Sequence, residues 1–287
     1  MTSTNKENLY AHVDFLTSIR PFRNYRNLDT LKKVRDYISS TLNSYGLDTY
    51  EQKWLADGNV YANVIASYQP EKEERVIVGA HYDVCGDQPG ADDNASAIAG
   101  LLELARITTE NQPGLEYGID FVAFCLEEPP YWETELMGSY IHAESLHKTG
   151  TKVRGMICFE MIGFFSEEPG SQQSPFPELA SITPDKGNFI VVVGIQRFGD
   201  FTSQFYDAMY TDSKIDMFLL CLEDSVYYAG LSDHHNYWKF GFPGLMINDT
   251  SYFRNPHYHE PTDTIETLNF QKMAEVVNST YRGVIAL

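Results

Sequence analysis

Acidic and imidazole side chains gather where apolar runs end. The run RVIVGA (75–80) is followed at once by His81 and Asp83, IDFVAFCL (119–126) by Glu127 and Glu128, and GMICF (155–159) by Glu160. Two further segments add donors: PGADDNAS carries Asp92 and Asp93, and NPHYHEPTD carries His257 and His259. Charged groups rarely enter apolar neighbourhoods unless they are paired or bound to metal. Taken singly, each has a plain structural explanation: a His after a strand commonly serves packing, Asp93 ahead of a helix is a natural N-cap, and a Glu pair is often a solvated loop. Together they offer hard oxygen and imidazole donors from several places at once, as a divalent metal site requires. A set of His and carboxylates with no Cys suits zinc, cobalt or manganese in a hydrolytic role better than a structural zinc.

Other chemistries lose their support by inspection. The helical HExxH motif, the GxSxG nucleophile elbow and the GxxxxGK[ST] phosphate loop are all absent. Asn94-Ala95-Ser96 fits a glycosylation sequon, but a glycan there would crowd the donor cluster, so the match reads as accidental.

Such a cluster needs elements that end together. Leu31, Val34, Ile38, Leu42 and Tyr45 recur at helical spacing, with Gly46 where a helix terminus wants a left-handed residue. Strand-like runs follow at 60–68, 75–80, 119–126, 155–159, 189–193 and near Leu245. Helical patterns separate many of them. Ile98, Leu101, Leu102 and Ala105 share a face over 93–107, as do Met273, Val276, Val277 and Val284 near the end. This alternation predicts an α/β fold: a three-layer α/β/α sandwich with a mixed, mostly parallel central sheet. Ligands of such sheets bind beyond the carboxyl ends of the strands, where three of the acidic clusters fall. No repeat and no compositional break divides the chain, so one domain over 1–287 is expected, near the upper size of a single core. From about Phe164 to Gly187 the chain is rich in Ser, Pro, Glu and Gln without periodicity, as in a substrate-groove loop or a mobile surface excursion.

Composition narrows the partners. The formal charge of −19 repels phosphate backbones and anionic lipid, which argues against nucleic acid and membrane, and draws in cations such as metals or a peptide amino terminus. No run reaches the ~18 apolar residues of a membrane span, and the polar start MTSTNKENLY has no signal-type apolar core. Cys85, Cys125, Cys158 and Cys221 lie singly, which predicts free thiols and fits a reducing cytoplasm.

The blocks GAHYDV, PGADDNASA, the Glu pair, FEMIG, SDHHNYWKFGFPG and NPHYHEPTDT, in this order, resemble the zinc aminopeptidases of the bacterial leucyl aminopeptidase and aminopeptidase Y family. The resemblance runs from about Tyr61 to the C-terminus. It implies two zinc ions per chain, with cobalt or manganese as substitutes. One would be held by His81 and Glu160, the other by Glu128 and His259, with Asp92 bridging both. Many relatives carry Asp at the position of Glu160, and His257 competes with His259 unless the loop register follows the family. By the same resemblance a hydroxide bridging the metals attacks the first peptide bond of a peptide with a free N-terminus, and Glu127 is the general base. Asp83 is expected to hold the second nitrogen of His81, and Asp263 to play a matching role or to be a turn residue. A hydrophobic pocket for the first side chain would draw on Tyr228, Asp233, His234 and Tyr258. Three alternatives remain: a single-zinc glutaminyl cyclase of the same fold, disfavoured because both donor sets are complete; a carboxypeptidase or dipeptidase; and a catalytically silent binding domain.

Overall fold

A computed structural model describes residues 2–176 and 183–287. Helices α1 (Lys6–Ser18) and α2 (Leu28–Ser44) precede an antiparallel pair, β1 (Thr49–Ala56) and β2 (Asn59–Tyr68). Then come β3 (Glu74–His81), α3 (Ala97–Asn111), β4 (Gly118–Phe124), α4 (Gly138–Thr149), β5 (Lys152–Glu160) and β6 (Phe189–Ile195). The chain closes with α5 (Gly199–Tyr210), β7 (Asp216–Leu222), α6 (His234–Lys239), β8 (Gly244–Asn248) and α7 (Phe270–Ile285). One eight-stranded sheet runs in the order β1-β2-β4-β3-β5-β8-β6-β7. The pairs β3–β4, β3–β5, β5–β8 and β6–β7 are parallel, and β1–β2, β2–β4 and β6–β8 antiparallel, so the sheet is mixed as expected.

Neighbouring residues of one strand serve opposite layers, as the two-residue period of a strand demands. Val76 and Val78 join the core that includes Leu31 and Val34 of α2, Leu101 of α3, Phe205 of α5 and Val277 of α7, while Ile77 joins the opposite core with Ala143 of α4 and Tyr237 of α6. Both faces are thus covered, and the fully buried strands read as continuous apolar runs. Each buried Val, Leu or Ile contributes about 1.5–3 kcal/mol by leaving water. The helix predicted around Leu31 is α2, and Gly46 after it has φ 83°, a left-handed turn that only glycine adopts without strain.

Some elements differ from expectation. The edge strands β1 and β7, the first helix and α4 to α6 were not delimited from sequence. Helix α3 starts at Ala97, not Asp93, and residues 91–96 form an irregular buried turn ahead of it. No helix among the described residues is long and apolar enough to cross a membrane. All four cysteines are free.

The sheet order brings the carboxyl ends of β4, β3, β5 and β8 side by side. His81 is level with Phe124, and Glu160 with Asn248, so the residues at and just beyond these ends share one rim.

Candidate metal centre

His81, the last residue of β3, has its Nε2 3.3 Å from Asp93 Oδ1, 3.4 Å from Glu160 Oε2 and 3.8 Å from Glu127 Oε2. His259 has its Nε2 3.0 Å from Asp93 Oδ2 and 3.4 Å from Glu128 Oε2. Asp93 therefore offers one oxygen to each of two imidazoles, and each imidazole has a second carboxylate beside it. His257 stands apart, its Nδ1 hydrogen-bonded to Thr262 Oγ1 at 2.9 Å, so the register favours His259.

The bridging position expected of Asp92 is occupied by Asp93. Asp92 points away, accepting from Gly163 N at 2.9 Å and Asn255 Nδ2 at 2.7 Å. Consecutive residues of this tight turn face opposite ways, and the cap expected of Asp93 is not made. Asp263 decides which acid faces the cluster. Its carboxylate accepts from the main-chain N–H of Asp92 at 2.9 Å and of Asp93 at 3.1 Å, so of the two roles expected of it the imidazole-holding one is not seen and the side chain grips a turn. Buried Arg23 clamps the same turn by donating to the carbonyls of Pro89 and Gly90. Gly90 has φ 59°, and a Cβ there would lie 2.2 Å from the Asp93 carbonyl and 3.0 Å from Arg23 Nη2, so the clamp requires glycine.

Other partners fix the remaining donors. Asp83 flanks His81, its main-chain carbonyl oxygen 3.2 Å and its carboxylate Oδ1 3.7 Å from Nδ1. The same carboxylate accepts from the main-chain N–H of Glu127 at 3.3 Å and Glu128 at 3.2 Å, tying the ends of β3 and β4 together. Glu160 Oε2 accepts from Ser232 Oγ at 2.7 Å and Asn94 Nδ2 at 3.1 Å. Asn94 is fully buried, which agrees with an accidental sequon. Leu126, Met161 and His259 all adopt left-handed backbone, at φ 64°, 47° and 59°, next to or at a donor. Each costs on the order of 1–2 kcal/mol for a non-glycine residue, and such strain gathers where geometry serves function.

Electrostatics follow from burial. Burial raises the Asp93 carboxyl, but the adjacent His259 and His81 rings outweigh it and hold the group below the usual range. Burial pushes Glu127 well above the usual carboxylate range and Glu128 up to about 7. In His81, burial favours the neutral ring, yet Glu160 and Glu127 raise it well above its ordinary value. Asp93 Oδ1, Glu128 Oε1 and His259 Nε2 are buried and make no hydrogen bond of good geometry among the described residues. Buried polar atoms normally have partners, and converging lone pairs of this kind fit divalent cations. Cys85 also comes close to the cluster: its sulfur, a Glu128 carboxylate oxygen and a His259 ring nitrogen all lie within 4.8 Å of one another.

The expected pocket residues divide. Tyr228 lines an apolar cavity of about 350 Å³ together with Phe176, Val193, Leu220, Met246 and Phe253. Asn248 lines the same cavity and donates to the Glu160 carbonyl at 2.7 Å, so the cavity starts beside the centre. Segment 172–176 walls it, in keeping with the groove-loop expectation, whose remainder at 177–182 lies outside the described residues. Tyr258 does not line the cavity; its ring stacks on His259 with centroids 3.8 Å apart. His234 serves packing, with Nε2 2.7 Å from the Ala229 carbonyl and its ring edge-on to Trp238. Asp233 is fully buried and raised to about 7 by that burial.

Residues 63–282 match the family model described as peptidase family M28. The chain belongs to peptidase family M28. Relatives of this M28 chain include the Escherichia coli protein named uncharacterized protein YfbL, 39% identical over 98% of this chain and 87% of that one. A probable leucine aminopeptidase 1 of Trichophyton verrucosum is 26% identical over 96% of this chain and 72% of its own length. In structure the chain resembles LapB of Legionella pneumophila, with TM-score 0.76, 20% identity, and coverage of 99% of this chain and 72% of that one. It also resembles glutaminyl cyclase of Porphyromonas gingivalis, with TM-score 0.75, 21% identity and 99% of both chains covered. The M28 fold is thus shared with aminopeptidases and cyclases, and the choice between them belongs to the site.

Proposed function

We propose that this M28 chain is a two-metal aminopeptidase, folded as one metallopeptidase domain over 1–287, that removes the first residue of peptides with a free N-terminus. The carrying observation is Asp93, with one oxygen toward His81 and the other toward His259, each imidazole having its own further carboxylate. His81, Asp93 and Glu160 would hold one divalent ion, and Asp93, Glu128 and His259 the other; a donor set of imidazole and carboxylate fits zinc. When bound, such ions supply Lewis acidity that acidifies water and polarises a carbonyl.

The protein's own groups do the rest. Glu127 is buried at the rim with its Oε2 3.8 Å from His81 Nε2, and burial raises its carboxyl well above the usual range, so it favours holding a proton. It takes the proton of the attacking water and delivers it to the leaving amine. Asp83 keeps Glu127 and Glu128 in register through their main-chain N–H groups, and Asp263 does the same for Asp93. The buried carboxylates attract the ammonium group of a peptide, and the apolar cavity beside Glu160 accepts a hydrophobic first side chain. This supports a leucyl-type preference, as in the relative named leucine aminopeptidase 1.

A cyclase needs only one ion, and the completeness of both donor groups argues for hydrolysis. The test uses unblocked, N-acetylated and C-amidated peptides plus one with N-terminal glutamine, with metal counted per chain. Cleavage of the unblocked and amidated peptides alone, at two ions per chain, is expected. Ammonia release from the glutamine peptide without cleavage would replace the reading with a cyclase.

A further inference from the structure

The chain leaving β3 carries His81, Asp83 and Cys85 at every second position, and all three reach the centre. Tyr82 between them turns the other way, its hydroxyl donating to the Ala62 carbonyl at 2.6 Å. Alternation of this kind is what extended backbone produces. The Cys85 sulfur comes together with a Glu128 carboxylate oxygen and a His259 ring nitrogen, all within 4.8 Å of one another. Glu128 is only 4% exposed, and its Oε1 has no hydrogen-bond partner among the described residues. His259 Nε2, 3.4 Å from Glu128 Oε2, is likewise buried without a hydrogen-bond partner among the described residues, and a carboxylate, an imidazole and a thiol so gathered suit a cation better than hydrogen bonding.

We propose that Cys85 supplies a sulfur donor to the ion held by Glu128 and His259, making the two metal positions chemically unequal. The inference rests on the two-metal reading. The position of His81 and Glu160 has nitrogen and oxygen donors; that of Glu128 and His259 gains a soft one. Thiolate donors favour zinc and other soft ions over manganese or magnesium, and binding through sulfur releases the thiol proton.

Cobalt(II) reads this directly, because thiolate bound to cobalt gives a near-ultraviolet charge-transfer band that nitrogen and oxygen donors do not. The full chain, stripped and reloaded with cobalt alone, is expected to show the band in step with one of two bound equivalents. Cys85→Ser is expected to lose it, while Cys125, Cys158 and Cys221 are left in place. Alkylation of Cys85 by iodoacetamide in the unaltered chain, followed by peptide mapping, is expected to slow about tenfold or more when zinc is added. Two cobalt ions bound without the band, or equal alkylation with and without zinc, would overturn the role of Cys85 and leave the two-metal reading standing. Failure to bind cobalt or zinc at all would remove the two-metal reading itself.

Discussion

Exchanging each acid of the adjacent pair for its amide tests the placement of the centre most sharply. In Asp93→Asn, one of two oxygens becomes an NH₂ group, so a donor of hydrogen bonds faces a position that must receive a cation. The oxygens now lie 3.3 Å from His81 Nε2 and 3.0 Å from His259 Nε2, so either orientation of the amide spoils one side and the lost charge weakens both. Replacing partners that only orient a ligand typically costs 10–100-fold in metal affinity, so removing the shared ligand should cost each ion more than about 100-fold, or about 2.7 kcal/mol.

Asp92→Asn has a different signature. Asp92 accepts from Gly163 N and Asn255 Nδ2, and an amide oxygen keeps only one of these. Burial and the nearby Asp249 raise the Asp92 carboxyl well above its usual range, so the loss is that of one buried hydrogen-bond partner, about 1–3 kcal/mol of folding, or about 2–5 °C in Tm for a chain of this size. Both ions stay. The assay is dialysis of each variant against buffered free zinc, elemental analysis of the retained metal, and a thermal melt with and without chelator. Asp93→Asn should lose both ions, while Asp92→Asn should keep two ions and melt lower in either state. The opposite pattern would return the bridge to Asp92 and refute the geometry argued here.

Glu127→Gln should keep both ions and lower kcat by about 10²–10⁴, the usual worth of a general base, and full activity would remove Glu127 from the mechanism. Asp263→Ala leaves the N–H groups of Asp92 and Asp93 without their acceptor in a buried turn; about 1–3 kcal/mol per group is expected in denaturant melts, with weaker zinc retention, and unchanged retention would show that the grip does not position Asp93. Gly79→Ala would set a Cβ 2.2 Å from Phe124 Cε2, so overpacking should cost about 1–3 kcal/mol by chemical denaturation; a neutral result would contradict the tight β3–β4 packing. Acid should unfold the chain partly through His12 and His142, both held down to about 4 by burial. Their neutral forms stabilise the fold fully above the unfolded value of 6.5, and that stability is lost as pH falls from 6.5 toward 4, by at most about 3 kcal/mol each. His142→Gln should flatten the pH dependence of unfolding over that window, and an unchanged slope would be inconsistent with a buried neutral imidazole.

The central strands were legible because burial on both faces writes them as apolar runs, as in RVIVGA and GMICF. β1, with its sequence TYEQKWLA, and β7 lie at the sheet edges, where one flank meets solvent and the signal is diluted by polar residues. His81 and Glu160 end β3 and β5, and Glu128 follows β4 closely, so strand ends fix where these three side chains start, whereas His259 comes from a loop. The choice between Asp92 and Asp93 was not legible, because it depends on a two-way grip from Asp263, some 170 residues away, and on the Arg23 clamp. Cys85 was readable in principle from its every-second-residue spacing after His81, but only with extended backbone continuing past the strand.

Charge balance gives an independent argument for cations in this centre. The acidic side chains of the site are buried; the buried guanidiniums beside them among the described residues are Arg23 and Arg254, and neighbouring carboxylates also favour the charged form of the His81 and His259 rings. Both guanidiniums are themselves held down to about 10, by burial first, with nearby acids such as Asp263 and Asp249 pulling the other way. Glu128, Asp233 and Asp263 are raised to about 7, 7 and 8, mainly by the same burial, so the protein alone does not keep its acids comfortably ionised. Isolated buried charge is costly enough that a fold tolerates it only where pairing or metal repays it. Two divalent ions held as proposed would offset this buried acidity, and each at a concentration 1,000 times its Kd would add about 4 kcal/mol to the native state.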